Sequence, residues 1–268
     1  ARTQSGEATL ASWLTIPPGA AAIRARQHAV DELRGELDLR EAVAIAGESV
    51  AAGVHPSALT AWAEQPPQLP GWVPVAAMAG TALTVMTAVV AGFTGDLRPL
   101  AVVILGELLL FAGHRRRIQA VLHAASGWSR DLDLLATVLS HLESRRFRSS
   151  LLAEMRGRLD SGTDLPSRAT ARLGSLVELH DWQHNLIFAI LSAPLLWDVH
   201  VACAMERWRA RTGSRVRGWL ESVGEFEAVS SLGTYAFEHP ADPFPEIAET
   251  PAARFIASGL GHPLLAGP

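Results

Sequence analysis

Residues 72–93 read WVPVAAMAGTALTVMTAVVAGF and carry no charged side chain. As a helix, about 22 residues rise roughly 33 Å, enough to cross the hydrocarbon core of a bilayer. Pro74 falls in the first turn, where a missing N–H costs nothing. Gly95-Asp96-Leu97-Arg98-Pro99 then reads as a turn. Residues 100–113, LAVVILGELLLFAG, return and end on His114 and the cluster Arg115, Arg116, Arg117. This second leg is short unless it starts near Leu97, with Arg98 reaching to the interface. It carries Glu107, a costly group in lipid unless it is paired or faces protein. The pattern predicts a transmembrane helical hairpin at 67–117 with Asp96 at its outer tip. The three arginines place both ends on the cytoplasmic side. The alternative is a helical hairpin buried in a soluble bundle.

Outward from the hairpin the chain reads as helices. QPPQLPG at 65–71 is a linker by its prolines. Before it, residues 1–66 form a helical segment in which Ile23, Val30, Leu33 and Leu37 recur at helical spacing. Pro17-Pro18-Gly19 breaks one helix before the next, and Ser57 is a candidate N-cap after His55-Pro56. After the hairpin, residues 118–250 form a second helical segment. Helical spacing with a charged face runs from 118 to 159, and SGTDLPS at 161–167 is a loop. Helices are expected at 168–185 and 186–211, with Gly213 as a stop and a further helix at 216–237. Residues 186–197 are apolar but short and broken by Pro194, which predicts core and not a second span. EHPADPFPEI is an extended connector set by its prolines. The fold class is all-α, with β-structure expected only in the last fifteen or so residues.

Composition narrows the classes. The 268 residues allow one large or two small domains, and the formal charge of −4 gives no global basic signature for nucleic acid. The chain has no lysine; all its basic charge is arginine. The one cysteine, Cys203, excludes an internal disulfide and sits in an apolar helical run, which predicts an inert buried thiol. The opening ARTQSGEATL lacks the basic and apolar regions of a secretory signal and reads like a chain that begins mid-protein.

Few constellations carry chemistry. His180 and His184 are spaced i, i+4, a spacing that can hold a metal, but no glutamate or second ligand cluster accompanies them. They read as ordinary core or surface histidines. Arg145, Arg146 and Arg148 surround Phe147 and are candidate phosphate contacts, against a reading as a solvated helix face beside Glu143 and Glu154. Glu107 is the functional candidate inside the apolar leg, with helix packing or assembly ahead of transport. Glu225 and Glu227, two apart, do not share a helix face, so they are assigned to packing and capping. No catalytic set and no metal set is legible.

Three stretches carry a resemblance. From Trp219 the sequence reads WLESVGEFEAVSSLGTYAFEHPADPFPEI, and ARFIASGLGHPLLAGP closes it. Near the start, Trp13-Leu14, Pro17, Arg26-Gln27, Glu32-Leu33, Leu39-Arg40-Glu41 and Gly47 form a second set. Trp197-Asp198 and Glu206-Arg207-Trp208 mark a third. Together they resemble the helical core, lever and domain junction of MutS-like DNA mismatch-repair ATPases, in order and spacing. The resemblance implies that Glu225 and Glu227 lie at a domain junction. It implies that His262 and Pro263 start the first strand of a nucleotide-binding domain, so residues 251–268 would be its stub. No G-x-x-x-x-G-K-[ST] occurs here, so the chain as given is expected to be no ATPase, with no cofactor of its own. ATP and magnesium are expected only with the rest of that domain, as is a homodimer formed through it. DNA and membrane lipid are the implied partners, and a bacterial-type inner membrane, with the bulk of the chain cytoplasmic, is the implied location. The hairpin departs from the soluble mismatch-recognition proteins, so the resemblance does not extend to mismatch reading. A membrane-anchored helical scaffold without ATPase or repair role is the rival, and a small polytopic carrier is a more distant one.

Overall fold

The computed structural model describes residues 3–50, 56–126, 128–160, 164–181, 192, 194–248 and 254–261, with side chains at 46–50 left aside. Among the described residues every regular element is a helix. The order is α1 (Gln4–Thr15), α2 (Ala20–Arg34), α3 (Leu37–Val50), α4 (Pro56–Ala63), α5 (Val73–Thr94) and α6 (Arg98–Ala112). It continues with α7 (Arg115–His123), α8 (Ser129–Ser144), α9 (Ser150–Leu159), α10 (Pro166–Asp181) and α11 (Trp197–Glu238). The all-α class read from the sequence holds.

The organising element is α11. Its 42 residues rise about 63 Å, and α1, α2, α4, α5, α7, α9 and α10 all pack along it. The contacts follow in order. At its start, Asp198 accepts from Gln119 of α7 at 3.3 Å and His200 meets Thr81 of α5 at 2.9 Å. One-third of the way along, Trp208 donates its indole N–H to the Ala169 carbonyl of α10 at 2.7 Å and lies against Trp62 of α4. Further on, Glu225 pairs with Arg158 of α9, and Phe226 meets Phe147. Near the end, Thr234 accepts from Arg40 of α3 at 2.7 Å. The core therefore forms a sleeve around one helix, with Met205, Phe226 and Val229 fully buried at its axis.

Gly213 is not a stop, as its residue type suggested; α11 runs through it. A Cβ there would lie 2.2 Å from the Ala63 carbonyl oxygen, so glycine lets the end of α4 press onto the helix. Two other local readings change. Ser57 lies inside α4 and so is not its N-cap; the described part of that helix already includes Pro56. Arg145, Arg146 and Arg148 lie in the loop between α8 and α9, not on a helix face. Glu32 of α2 holds that loop: its carboxylate accepts from the backbone N–H groups of Arg148 and Ser149, both at 2.7 Å, just before α9.

The proline linker is held firmly. Arg209 of α11 donates to the Gln65 and Pro66 carbonyls at 2.7 and 3.2 Å and pairs with Glu206 at 2.6 Å. Glu206 in turn accepts from the Gln68 N–H at 3.1 Å. Burial lowers the Arg209 pKa and Glu206 opposes that shift. Cys203 is buried, as expected, and burial pushes its thiol up to about 11. The C-terminal connector folds back onto α2, where Arg24 and Gln27 donate to the Ile247 and Pro245 carbonyls at 2.9 and 2.8 Å.

Candidate functional site at the foot of the hairpin

Residues 73–112 form the helical hairpin. Gly95, at φ 72°, closes α5 in the left-handed conformation that glycine adopts freely, and Asp96 accepts from the Arg98 N–H at 3.0 Å. Much of the hairpin's apolar surface is exposed in the single chain. Val75, Met78, Met86, Phe93, Val102 and Leu109 are all exposed, Phe93 at 88%. Among the described residues α5 is the helix long and apolar enough to cross a membrane, and only 17% of its apolar window is buried. The return leg is shorter: 15 residues rise about 22 Å.

The hairpin's polar groups converge on its inner face. Glu107 is 7% exposed and accepts from the Thr84 hydroxyl at 2.8 Å through Oε1. Its Oε2 has no hydrogen-bond partner. Gly80 makes the room: a Cβ there would lie 2.8 Å from Glu107 Oε1. One helical step away, Thr81 donates to the Leu195 carbonyl at 3.2 Å and meets His200. Burial lowers the His200 pKa, and the nearby Arg207 lowers it further, which favours the neutral imidazole. Leu196 precedes α11 with φ 51°, a conformation that costs a branched side chain of order 1–3 kcal/mol. Its buried side chain faces Gly80, and packing there holds the strained turn in place.

A cavity of 560 Å³ opens beside these groups, between α6, α7 and the start of α11. Glu107, Arg115, Gln119 and Asp198 supply its polar walls; Phe111, Ile118, Leu196 and Val199 supply much of the rest. His180 of α10, 3% exposed, lies 3.7 Å from Asp198 and edge-on to His123. Arg115, Arg116 and Arg117 form the exposed first turn of α7, just past the hairpin's end. Three cations at a helix N-terminus oppose the helix dipole. Interfacial anions would offset that cost.

The other sequence-derived candidates lie elsewhere. Arg146 and Arg148 line a groove of 870 Å³ together with Asp31, Glu32 and Glu36. Arg145 pairs with Glu36 at 3.4 Å. Glu227 is 3% exposed and accepts from the Thr3 N–H and hydroxyl at 2.9 and 2.8 Å, which fixes the start of α1 against α11. Glu225 is bound to Arg158, so the two carboxylates point to different partners. His262, Pro263 and His184 lie outside the described residues. Among the described residues no group of three metal-ligating side chains occurs. Sequence reasoning singled out Glu107 but missed Gly80, Thr84 and His200. The available signal was the small and hydroxylic set Gly80, Thr81, Thr84, which shares a face at i, i+1, i+4 on an otherwise aliphatic helix.

No family model, curated protein or solved structure matches this chain.

Proposed function

We propose that this chain is the non-catalytic helical core and lever of a membrane-associated protein of the MutS-like type. The hairpin anchors it in the membrane, and α11 carries displacement between the hairpin's foot and the C-terminal connector. The observation that carries the reading is the continuity of α11. One helix of 42 residues touches α5 and α7 at its first turns and α1, α2 and α3 at its last. A continuous helix of about 63 Å, packed by other helices along its length, is a stiff element through which its two ends can be coupled. The exposed apolar hairpin and the arginine turn at its foot support the membrane anchor, with Arg98 at the tip long enough to reach the outer interface. The nucleotide site belongs to a following domain, through which the protein dimerises and where ATP and magnesium bind. DNA is the partner, with Arg145, Arg146 and Arg148 of the loop between α8 and α9 as phosphate contacts.

Two measurements test this. Alkaline carbonate extraction of membranes should leave the chain in the pellet, and deletion of 72–113 should release it. Calorimetry on the purified chain should detect no micromolar ATP binding, because neither a phosphate loop nor a lysine is present. Full extraction by carbonate would remove the anchor. Stoichiometric ATP binding would move the nucleotide site into this chain and end the lever reading.

A further inference from the structure

Between α10 and α11 the positive charge is not matched. A cleft of 200 Å³ there is lined by Arg172 of α10 and by Arg207 and Arg211 of α11, with Asp164 as its one carboxylate. Three guanidiniums against one carboxylate leave its walls at a net charge of +2. All three arginines are exposed. Arg172 comes only to 4.0 Å from Asp164, and Arg207 donates through Nε to the Cys203 carbonyl of its own helix at 3.3 Å. Among the described residues neither Arg207 nor Arg211 forms an ion pair. Glu206, beside Arg207 in the sequence, is turned away to Arg209 and the Gln68 N–H. Arg207 and Arg211 are one turn apart on α11, where like charges repel. The other donors in the cleft are engaged: the Trp208 indole by the Ala169 carbonyl and the Thr212 hydroxyl by the Trp208 carbonyl. The three guanidiniums therefore supply its available donors, and Trp208 and Leu176 supply apolar wall.

Charge, geometry and size decide the ligand. A guanidinium presents paired N–H groups that match the oxygens of a phosphate. A charge of +2 is met by a dianion and only half met by a monoanion. Pockets for drug-sized ligands begin at roughly 300 Å³, so this smaller cleft takes a phosphoryl group on a short stem and not a whole nucleotide.

We propose that the cleft binds a phosphate dianion held by Arg172, Arg207 and Arg211, either as inorganic phosphate or as a small phosphate monoester whose stem lies on Trp208 and Leu176. The site depends on neither the lever nor the membrane anchor. It is also separate from the loop arginines, which have Glu32 and Glu36 beside them.

The purified full chain in dodecyl maltoside is titrated by calorimetry at pH 8, where phosphate is mainly a dianion. The probes are inorganic phosphate, glycerol 3-phosphate and nitrate. Phosphate or its ester should bind with a stoichiometry of one and at least tenfold more tightly than nitrate. Arg211→Gln should weaken that binding at least tenfold. Arg217→Gln, on the same helix but outside the cleft, should leave it unchanged. Tighter binding of glycerol 3-phosphate than of phosphate identifies a monoester as the ligand; equal or weaker binding identifies inorganic phosphate. Nitrate binding as well as phosphate, unchanged binding in Arg211→Gln, or no binding of either phosphate would each overturn the proposal. So would a single-stranded oligonucleotide that binds through Arg211 when neither small phosphate does, because the surface would then serve a nucleic-acid backbone. The nitrate comparison is made on the unaltered protein, so it decides the matter even if Arg211→Gln folds poorly.

Discussion

Gly213→Ala isolates what holds α4 against the central helix. On helix propensity alone the change should stabilise the protein by about 0.8–1.0 kcal/mol. The structure predicts the reverse. The added Cβ would sit 2.2 Å from the Ala63 carbonyl oxygen, far inside the roughly 3.5 Å of an ordinary contact. The clashing atom is backbone, so no rotamer change relieves it. Ala63 closes α4, which is followed by the linker that Arg209 grips, and Trp62 beside it packs on Trp208 and Trp128. Moving α4 by an ångström disturbs all of these. Overpacking of this kind costs typically 1–3 kcal/mol. Gly218→Ala is the internal control, five residues along the same helix with no neighbour near its added Cβ. Urea denaturation followed by far-ultraviolet circular dichroism should place Gly213→Ala below the parent by about 1–3 kcal/mol. Gly218→Ala should lie above it by about 0.5–1 kcal/mol. If Gly213→Ala matched Gly218→Ala, α4 would not approach α11 as described, and the reasoning would fail.

Two further outcomes are expected. Glu227→Ala leaves the buried Thr3 donors unmet, at a cost of about 1–3 kcal/mol; hydrogen exchange should speed up throughout α1 while α8 and α10 stay protected. The Cys203 thiol, pushed up to about 11 by burial, should react with maleimide at pH 8 far more slowly in the folded chain than in urea. Because the folded state holds that proton more tightly, its contribution to stability is complete below pH 9 and is lost as pH rises towards 11. A denaturation series across that range checks the sign.

What was legible in the sequence followed local rules. Uncharged residues 72–93, the glycine turn at Gly95 and the break at Pro17-Pro18-Gly19 each act through their own backbone or hydropathy, and each falls where expected. What was not legible depended on distant partners. Gly213 looks like a helix stop until Ala63 is placed beside it. Arg145 to Arg148 look helical, yet they lie in a loop that Glu32, more than a hundred residues away, holds by the amides of Arg148 and Ser149. Glu225 and Glu227 were rightly denied a shared face, but their partners Arg158 and Thr3 carry no sequence signal. In the candidate site, Glu107 stood out as a charge in an apolar leg. Gly80 and Thr84 gain meaning only when α5 and α6 pair.

The measurement closest to the central claim is cysteine accessibility at the hairpin tip. Asp96 is exposed and Cys203 is buried, so Asp96→Cys supplies the readily reactive thiol in intact cells or sealed vesicles. A membrane-impermeant maleimide should label it only from the face opposite the cytoplasm, while a cysteine replacing exposed Arg116 should be labelled only from the cytoplasmic face. Labelling of both positions from the cytoplasmic side alone would contradict the membrane-anchored account.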